Sequence, residues 1–438
     1  MASDLLSIAS SGARAAKVAL DVTAQNIANA SSEGYVRRTV RTTELAASAN
    51  SASPHGVNLA GTRVSGVVRN ADIFRQSEMR RTGADAARAG AEVQGLENIE
   101  AAVEQTGVYD AIVAFEAGLQ QLLSDPTDGS LRAAVVESGR TMAETFNVAA
   151  DSLDAVGEEL RFEGKSGVDS VNGITAELGK VNLRLARAAE AGGDADLLLE
   201  QLSAHVGIST SFGPGGAVSV TLGSSTGPAL VSGGASATMA MQTAADGTIG
   251  FTVNGTDATV ASGALAGKAQ ALTELATTRG QIDAVAASIV SVVNAAQANG
   301  VDLQGNAGQP MFSGTGAADL AMIATGGSAI AAAGAGSAAN SRDVTNLIAL
   351  RSAMADAEPA GAMNTLLFGI SSAVAGRTVT RDTLDSIAST AKVALQAQAG
   401  VDLDQEAVNL VRFQQAFQAS GRVMQVASDL FDSILAIR

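Results

Sequence analysis

Residues 402–437 read DLDQEAVNLVRFQQAFQASGRVMQVASDLFDSILAI. Within this stretch Leu403, Ala407, Leu410, Gln414, Phe417, Gly421, Met424, Ser428, Phe431 and Leu435 recur at alternating steps of four and three. That rhythm is the period of a helix carrying a seam along one side. Asp402, with Gln405 three residues on, supplies a capping box at the start. Val411, Phe413, Val423, Leu430 and Ile434 widen the apolar surface beyond the seam. A helix that is apolar on more than one face needs more than one partner. The first thirty residues hold a matching seam of Leu6, Ala9, Ala13, Ala16, Leu20, Thr23, Ile27 and Ala30, with Ser10, Arg14, Lys17 and Asp21 between them. It implies a helix about 40 Å long. The N-terminal helix is one candidate partner for the C-terminal one; nothing else in the chain supplies the second.

The composition narrows the function. Among 438 residues 46% are hydrophobic but only 3% aromatic, with no Trp, no Cys and six Pro. Alanine is about a fifth of the chain, and because Ala favours helix most and Pro least, long helices packed through small faces are expected. The absence of Cys excludes disulfide scaffolds, thiol catalysis and Cys-ligated zinc. His55 and His205 are the only histidines, too few for a His-based metal site. The net charge of −16 argues against non-specific binding to nucleic acid. It is uneven: residues 1–90 hold 11 Lys and Arg against 7 Asp and Glu, which is +4, leaving −20 for the remainder. No apolar run reaches the length of a membrane span. The opening residues carry Asp4 and no basic residue ahead of the apolar ones, unlike a cleavable secretory signal.

Between the ends the texture changes several times. Residues 35–70, rich in Val, Thr and Arg, suggest short strands and extended loops. Helix is expected from Gln76 to about Leu123 with an interruption near Gly107, then a turn at Asp125-Pro126. It resumes from about Ser130 to Ala191, with breaks around Phe162 to Gly167. From Gly207 to about Ser262, Gly and Pro punctuate β-branched runs, and Asn254-Gly255 is a hairpin-turn signal. Leu265 to Asn299 reads as a long helix and 324–340 as strand-plus-loop or linker. Helices at about 341–356, 361–374 and 380–398 lead into the terminal one.

No motif supports catalysis. Residues 334–339 fit the permissive dinucleotide pattern G-x-G-x-x-A, but no β-branched strand or βαβ series flanks them. Asp302, Gln304 and Asn306 alternate like the opening of a calcium loop, yet Ala307 stands where such a loop needs Gly. A structural turn is the better reading. Neither histidine has a Ser or carboxylate at a diagnostic spacing. Arg37-Arg38 reads equally as a partner-binding patch and as a solvated turn or strand face. Neither a cofactor nor a metal is expected.

The segment Asn26-Ile27-Ala28-Asn29-Ala30-Ser31-Ser32-Glu33-Gly34-Tyr35 resembles the N-terminal signature of the bacterial flagellar axial proteins, where a heptad helix ends in an "NNIANxxTxGY"-like stretch. Asn tolerates a left-handed helix end, Gly34 can supply a positive φ, and Tyr35 offers an amphipathic ring for packing at the base of the next domain. The run from Asp402 to Ser420 and the tail from Leu430 to Ile437 are similar to the ending of the hook-associated protein 1 family within that group. Val293-Asn294, Gly300 to Gly308, Met311-Phe312 and the Asp125-Pro126 turn agree with it as well. Glu33 departs from the Thr or Pro usual there, and Phe413 and Phe417 replace Tyr. The chain is short for the family, so an outer domain of longer members is expected to be missing.

The resemblance implies a structural adaptor rather than an enzyme: a ring of subunits joining the flagellar hook to the filament. Its implied partners are further copies of itself, hook protein, hook-associated protein 3, and a cytoplasmic export chaperone at the C-terminal helix. No nucleic-acid or membrane partner is implied. Secretion through the flagellar type III apparatus without signal cleavage would place it in the extracellular flagellum. The expected fold is mainly α with a small β insertion: terminal helices in an antiparallel coiled coil (1–45 with 396–438), an elongated helical central domain (46–206 with 263–395) and a small β domain (207–262). The expected assembly interface comprises Leu6, Ala9, Ala13, Ala16, Leu20, Asn26, Ile27, Asn29, Gly34 and Tyr35. From the other end it takes Leu403, Ala407, Leu410, Phe413, Phe417, Met424, Phe431 and Leu435. The ends should be largely disordered in the free subunit and order on assembly. The rival readings are another axial protein, a hook subunit or hook-like paralogue, and, from a different class, a secreted enzyme sharing the export route.

Overall fold

The computed structural model describes residues 2–32, 35–46, 59–70, 72–188, 194–213 and 216–436. The fold is mainly helical, with a small β region in mid-chain. α1 (Ala2–Ala28) and α9 (Leu403–Ala436) lie against each other and run antiparallel. Gly12 abuts Ser420 near the middle of both helices, and Asn26 meets Glu406 near one end of the pair. Asp402 caps α9, its Oδ1 accepting the backbone N–H of Asp404 and of Gln405. The antiparallel strands β1 (Arg38–Ala46) and β2 (Leu59–Arg69) form a hairpin that packs on α1.

The helical body is built around α4 (Gly129–Ala188), 60 residues and about 90 Å long. Asp128 starts it by accepting the N–H groups of Ser130 and Leu131. α2 (Ile73–Glu104) and α3 (Val108–Leu122) precede it, separated at Gly107 as the sequence suggested. α5 (Asp194–His205), α6 (Ala264–Ala298), α7 (Thr345–Ala357) and α8 (Pro359–Ala399) complete the body. One apolar cluster joins the first half of α4 to α2, α3, α6, α7 and α8 around Phe115, Phe146 and Phe312. Phe115 and Phe312 meet edge to face with centroids 5.6 Å apart.

The second half of α4 packs, with α5, on the β region through Val171, Leu178, Leu199 and Leu202. There β3 (Ile208–Phe212), β4 (Val218–Leu222), β5 (Ala229–Ser232) and β6 (Ala235–Ser236) form one sheet in chain order. β7 (Met239–Thr243), β8 (Ile249–Val253) and β9 (Thr256–Ala258) form another. Along β4, Val218, Val220 and Leu222 are buried while Ser219 and Thr221 are not, the alternation of a one-sided strand. Asn254 and Gly255 turn β8 into β9 with φ of 50° and 79°, the two positive values a type I′ turn demands. Two asparagines of α4 hold the sheets: Asn182 exchanges hydrogen bonds with the backbone of Val218, and Asn172 with that of Met239.

Two expectations are corrected here. α4 runs unbroken through Phe162 to Gly167; Gly164 sits against Met241 and Ile249, so the glycine admits the sheet and does not end the helix. The helices expected at 361–374 and 380–398 are one helix, α8, and Arg377 in the expected gap pairs with Glu92 of α2 at 2.9 Å. Of the two readings of 324–340, strand-plus-loop holds and linker does not: Ile330 to Ala333 are buried, and β10 (Gly300–Val301) pairs there with β13 (Ala333–Gly334). The strands between these two in the chain are β11 (Phe312–Ser313) and β12 (Ala321–Met322), which pair with each other.

Candidate assembly interface

Asn26 sits in the last turns of α1 and is 1% exposed. Its amide nitrogen donates to the carbonyl of Arg38 at 2.9 Å and to Glu406 Oε2 at 3.3 Å. Its amide oxygen accepts the Tyr35 hydroxyl at 2.9 Å and the Arg38 backbone N–H at 3.0 Å. Two donors and two lone pairs are all that a carboxamide has, so the side chain is fully satisfied. Glu406 is also 1% exposed, and its other oxygen takes the Arg37 Nε at 2.7 Å. Burial raises the pKa of Tyr35, with Arg38 opposing and Glu406 adding to the rise, which keeps the phenol protonated as the donor Asn26 needs. The Arg38 guanidinium lies 5.8 Å from the Tyr35 ring centre. The Arg37 N–H donates to Ala399 at the end of α8, and the Arg37 carbonyl accepts from Asn70 just past β2. One polar cluster thus fastens α1, α8, α9 and the hairpin together.

These contacts replace three sequence-based readings. Asn26 is helical and acts through its side chain, and neither it nor Asn29 adopts a positive φ. Asn29 instead donates to the carbonyl of Gln25. Tyr35 works chiefly through its hydroxyl. Arg37 and Arg38 form neither an external patch nor a solvated face; they bind the chain ends. Gly34 lies outside the described residues, as does His55. Sequence reasoning missed Glu406, because no local spacing links it to Asn26 across 380 positions.

The seam between the two helices is made of small residues. Ala9, Ala13, Ala16, Ala19 and Val22 of α1 are buried, and Leu20 and Ile27 half-buried. From α9, Asn409 and Ala427 are buried, with Leu410, Phe413 and Met424 half-buried. The rest of the expected α9 stripe faces outward. Leu403 and Ala407 are exposed, Phe417 is 44% and Phe431 55% exposed, and Leu6 on α1 is exposed too. The α9 backbone includes Leu435, whose side chain lies outside the described residues. Val408, Val411, Val423, Val426 and Leu430 add to the open surface. So many large apolar side chains along one helix mark an interaction surface.

The other candidate sites resolve as structure. Asp302 accepts from the N–H groups of Gln304 and Asn306, a closed turn. Residues 334–339 belong to a loop held by Asp343, which accepts from Gly334 and Thr345 and has its pKa lowered to about 2 by those bonds. His205 ends α5, its pKa lowered by burial and then by Lys268. Among the described residues no group of three or more His, Asp and Glu is placed to hold a metal ion. No described helix is long and apolar enough to cross a membrane.

Residues 93–312, half of the chain, match the family described as the flagellar hook-associated protein FlgK helical domain. The chain belongs to the FlgK family. Residues 6–35 further match the flagella basal body rod protein family, and 396–437 the flagellar basal body rod FlgEFG protein C-terminal family. Flagellar hook-associated protein 1 of Bacillus subtilis is 30% identical over 216 residues, 46% of this chain and 43% of that protein. The protein of the same name from Salmonella typhimurium is 26% identical over 340 residues, 71% of this chain and 59% of its own length. That from Escherichia coli is 25% identical over 335 residues, 71% of this chain and 60% of the relative. The chain therefore spans roughly half of these curated relatives. The solved flagellar hook junction protein FlgK from Burkholderia pseudomallei shares the fold, with a TM-score of 0.50 at 23% identity over 54% of this chain and 46% of that one. The FlgK match lies in the body, whereas the matches of the ends are to rod families, so Asn26, Tyr35, Glu406 and the small-residue seam sit in the segments that match those families.

Proposed function

We propose that this protein is a structural adaptor joining the flagellar hook to the filament, assembled as a ring of subunits through its paired terminal helices. The observation that carries the reading is the open apolar face of α9, from Val408 to Phe431, on a chain whose body matches the FlgK helical domain. Covering a fully exposed Val, Leu or Phe is worth about 1.5–3 kcal/mol, and half-exposed ones give a fraction of that each. Several in register along one helix favour docking onto neighbours over standing in water. In this reading further copies cover the face in the ring, hook protein lies on one side and hook-associated protein 3 on the other. A cytoplasmic chaperone masks α9 before type III export to the extracellular flagellum. The same reading divides the chain into a terminal coiled-coil unit, a helical unit and a β unit.

The test is complementation of a strain lacking its own family member. Electron microscopy should show filaments retained on hooks with this chain and shed without it. Loss of the hooks themselves would favour the hook-subunit reading. Val411→Asp, on the open face of α9, should shed filaments while leaving the thermal melt of the purified protein unchanged; full retention with Val411→Asp would contradict the proposed interface.

A further inference from the structure

The outer side of α4 carries a second unpartnered face. Glu144, Val148, Asp151, Glu158 and Phe162 follow one another at heptad-compatible spacings and are all exposed, Val148 at 53% and Phe162 at 75%. Glu144, Asp151 and Glu158 stand seven residues apart, which is about 10.5 Å along the helix. They make no ion pair among the described residues. Exposed carboxylates alternating with large apolar side chains form a seam that fits a basic surface with apolar content of its own.

The chain carries such a surface on its hairpin. Arg41 and Arg63 are exposed and without an ion pair among the described residues. Thr43 lies opposite Arg63 in the ladder, so Arg41, two residues from Thr43, shares its face. A register shift falls between Arg41, which pairs with Gly66, and Thr42, which pairs with Val64, so the two arginines stand on one face across a bulge, and their long side chains can reach carboxylates one heptad apart. Val68 is on the same face by alternation and is exposed. Within one chain the hairpin packs on α1; Arg69 pairs with Asp196, whereas Arg41 and Arg63 find no carboxylate among the described residues.

We propose that the acidic face of α4 receives the β1–β2 hairpin of a second copy of this chain, Arg41 and Arg63 meeting two of Glu144, Asp151 and Glu158. The proposal rests on the ring reading above and names the surfaces through which neighbouring bodies touch. It also gives the opposed charges of the chain's first 90 residues and its remainder a use: the basic part of one subunit lies on the acidic part of the next.

Because the chain has no cysteine, introduced thiols report only the contact probed. Arg63→Cys and Asp151→Cys chains, with different tags, are co-expressed in a strain lacking its own family member, and hook–filament particles are isolated and mildly oxidised. A disulfide-linked heterodimer is expected, about tenfold above that from Arg63→Cys with Asp257→Cys, an exposed position away from the face. Adding Glu144→Arg and Glu158→Arg to the Asp151→Cys chain should remove the excess. Retained filaments with no excess heterodimer, or an excess that survives the charge reversal, overturn the contact while leaving the adaptor reading intact. If the unsubstituted chain retains no filaments, the adaptor reading falls, and this contact falls with it.

Discussion

Asn26 shows what a single side chain can decide. Its carboxamide makes four hydrogen bonds in a nearly sealed position, and they reach Tyr35 and Arg38 in one segment and Glu406 in another. Replacing it by Ala strands the Tyr35 hydroxyl, the Arg38 N–H and one Glu406 oxygen. A buried polar group left without a partner costs about 1–3 kcal/mol. Asn26→Ala is therefore expected to speed hydrogen exchange of α1 amides in assembled particles by roughly tenfold or more. Tyr35→Phe, which removes one bond, should have the smaller effect. Equal exchange in Asn26→Ala and the unsubstituted protein would refute the fastening role. The sequence showed that Asn26 and Tyr35 matter through their place in a recognisable stretch, but it suggested a backbone role. The side-chain role depends on Glu406 and Arg38 arriving from elsewhere.

The elements were largely legible, because their causes are local. Period-3.5 seams marked α1 and α9, β-branched runs punctuated by Gly and Pro marked the β region, and Asn254-Gly255 marked the turn between β8 and β9. The break expected in α4 around Phe162 to Gly167 rested on its glycines. An interior glycine costs a helix roughly 1 kcal/mol, and tertiary packing outweighs that when the missing side chain admits a neighbour. Gly267 of α6 is such a case: a Cβ there would stand 2.2 Å from the carbonyl oxygen of Arg88 in α2. Gly267→Ala should destabilise the body by about 1–3 kcal/mol despite the better helix propensity of Ala, read as a lower urea midpoint by circular dichroism. An unchanged or raised midpoint would show that α2 and α6 can part without cost. α8 runs on through the gap expected between 374 and 380, where the Arg377–Glu92 pair holds it against α2.

At the scale of the whole molecule, the ends and the body are held by unequal means. The body buries Phe115, Phe146, Phe312 and many Leu, Ile and Met side chains, whereas the α1–α9 seam is chiefly alanine. Stabilisation follows the apolar area buried, so a seam of methyl groups contributes little per turn. In the free subunit trypsin should therefore cut at Lys17, Arg412 and Arg422 before Arg140 or Arg161 of α4. Cleavage of both regions at one rate would contradict this ordering. By itself the amino-acid sequence determined the helical class, the small β region, the paired seams at the ends and the likeness to axial proteins. Each of these is set by periodicity, turn chemistry or composition within a few tens of residues. Only the tertiary structure decided that Glu406 closes on Asn26 and Arg37, that α4 and α8 run unbroken, and which side of α9 stays open. Those outcomes depend on which distant side chain fills a given space, and a one-dimensional pattern carries no record of distance between segments brought together by folding.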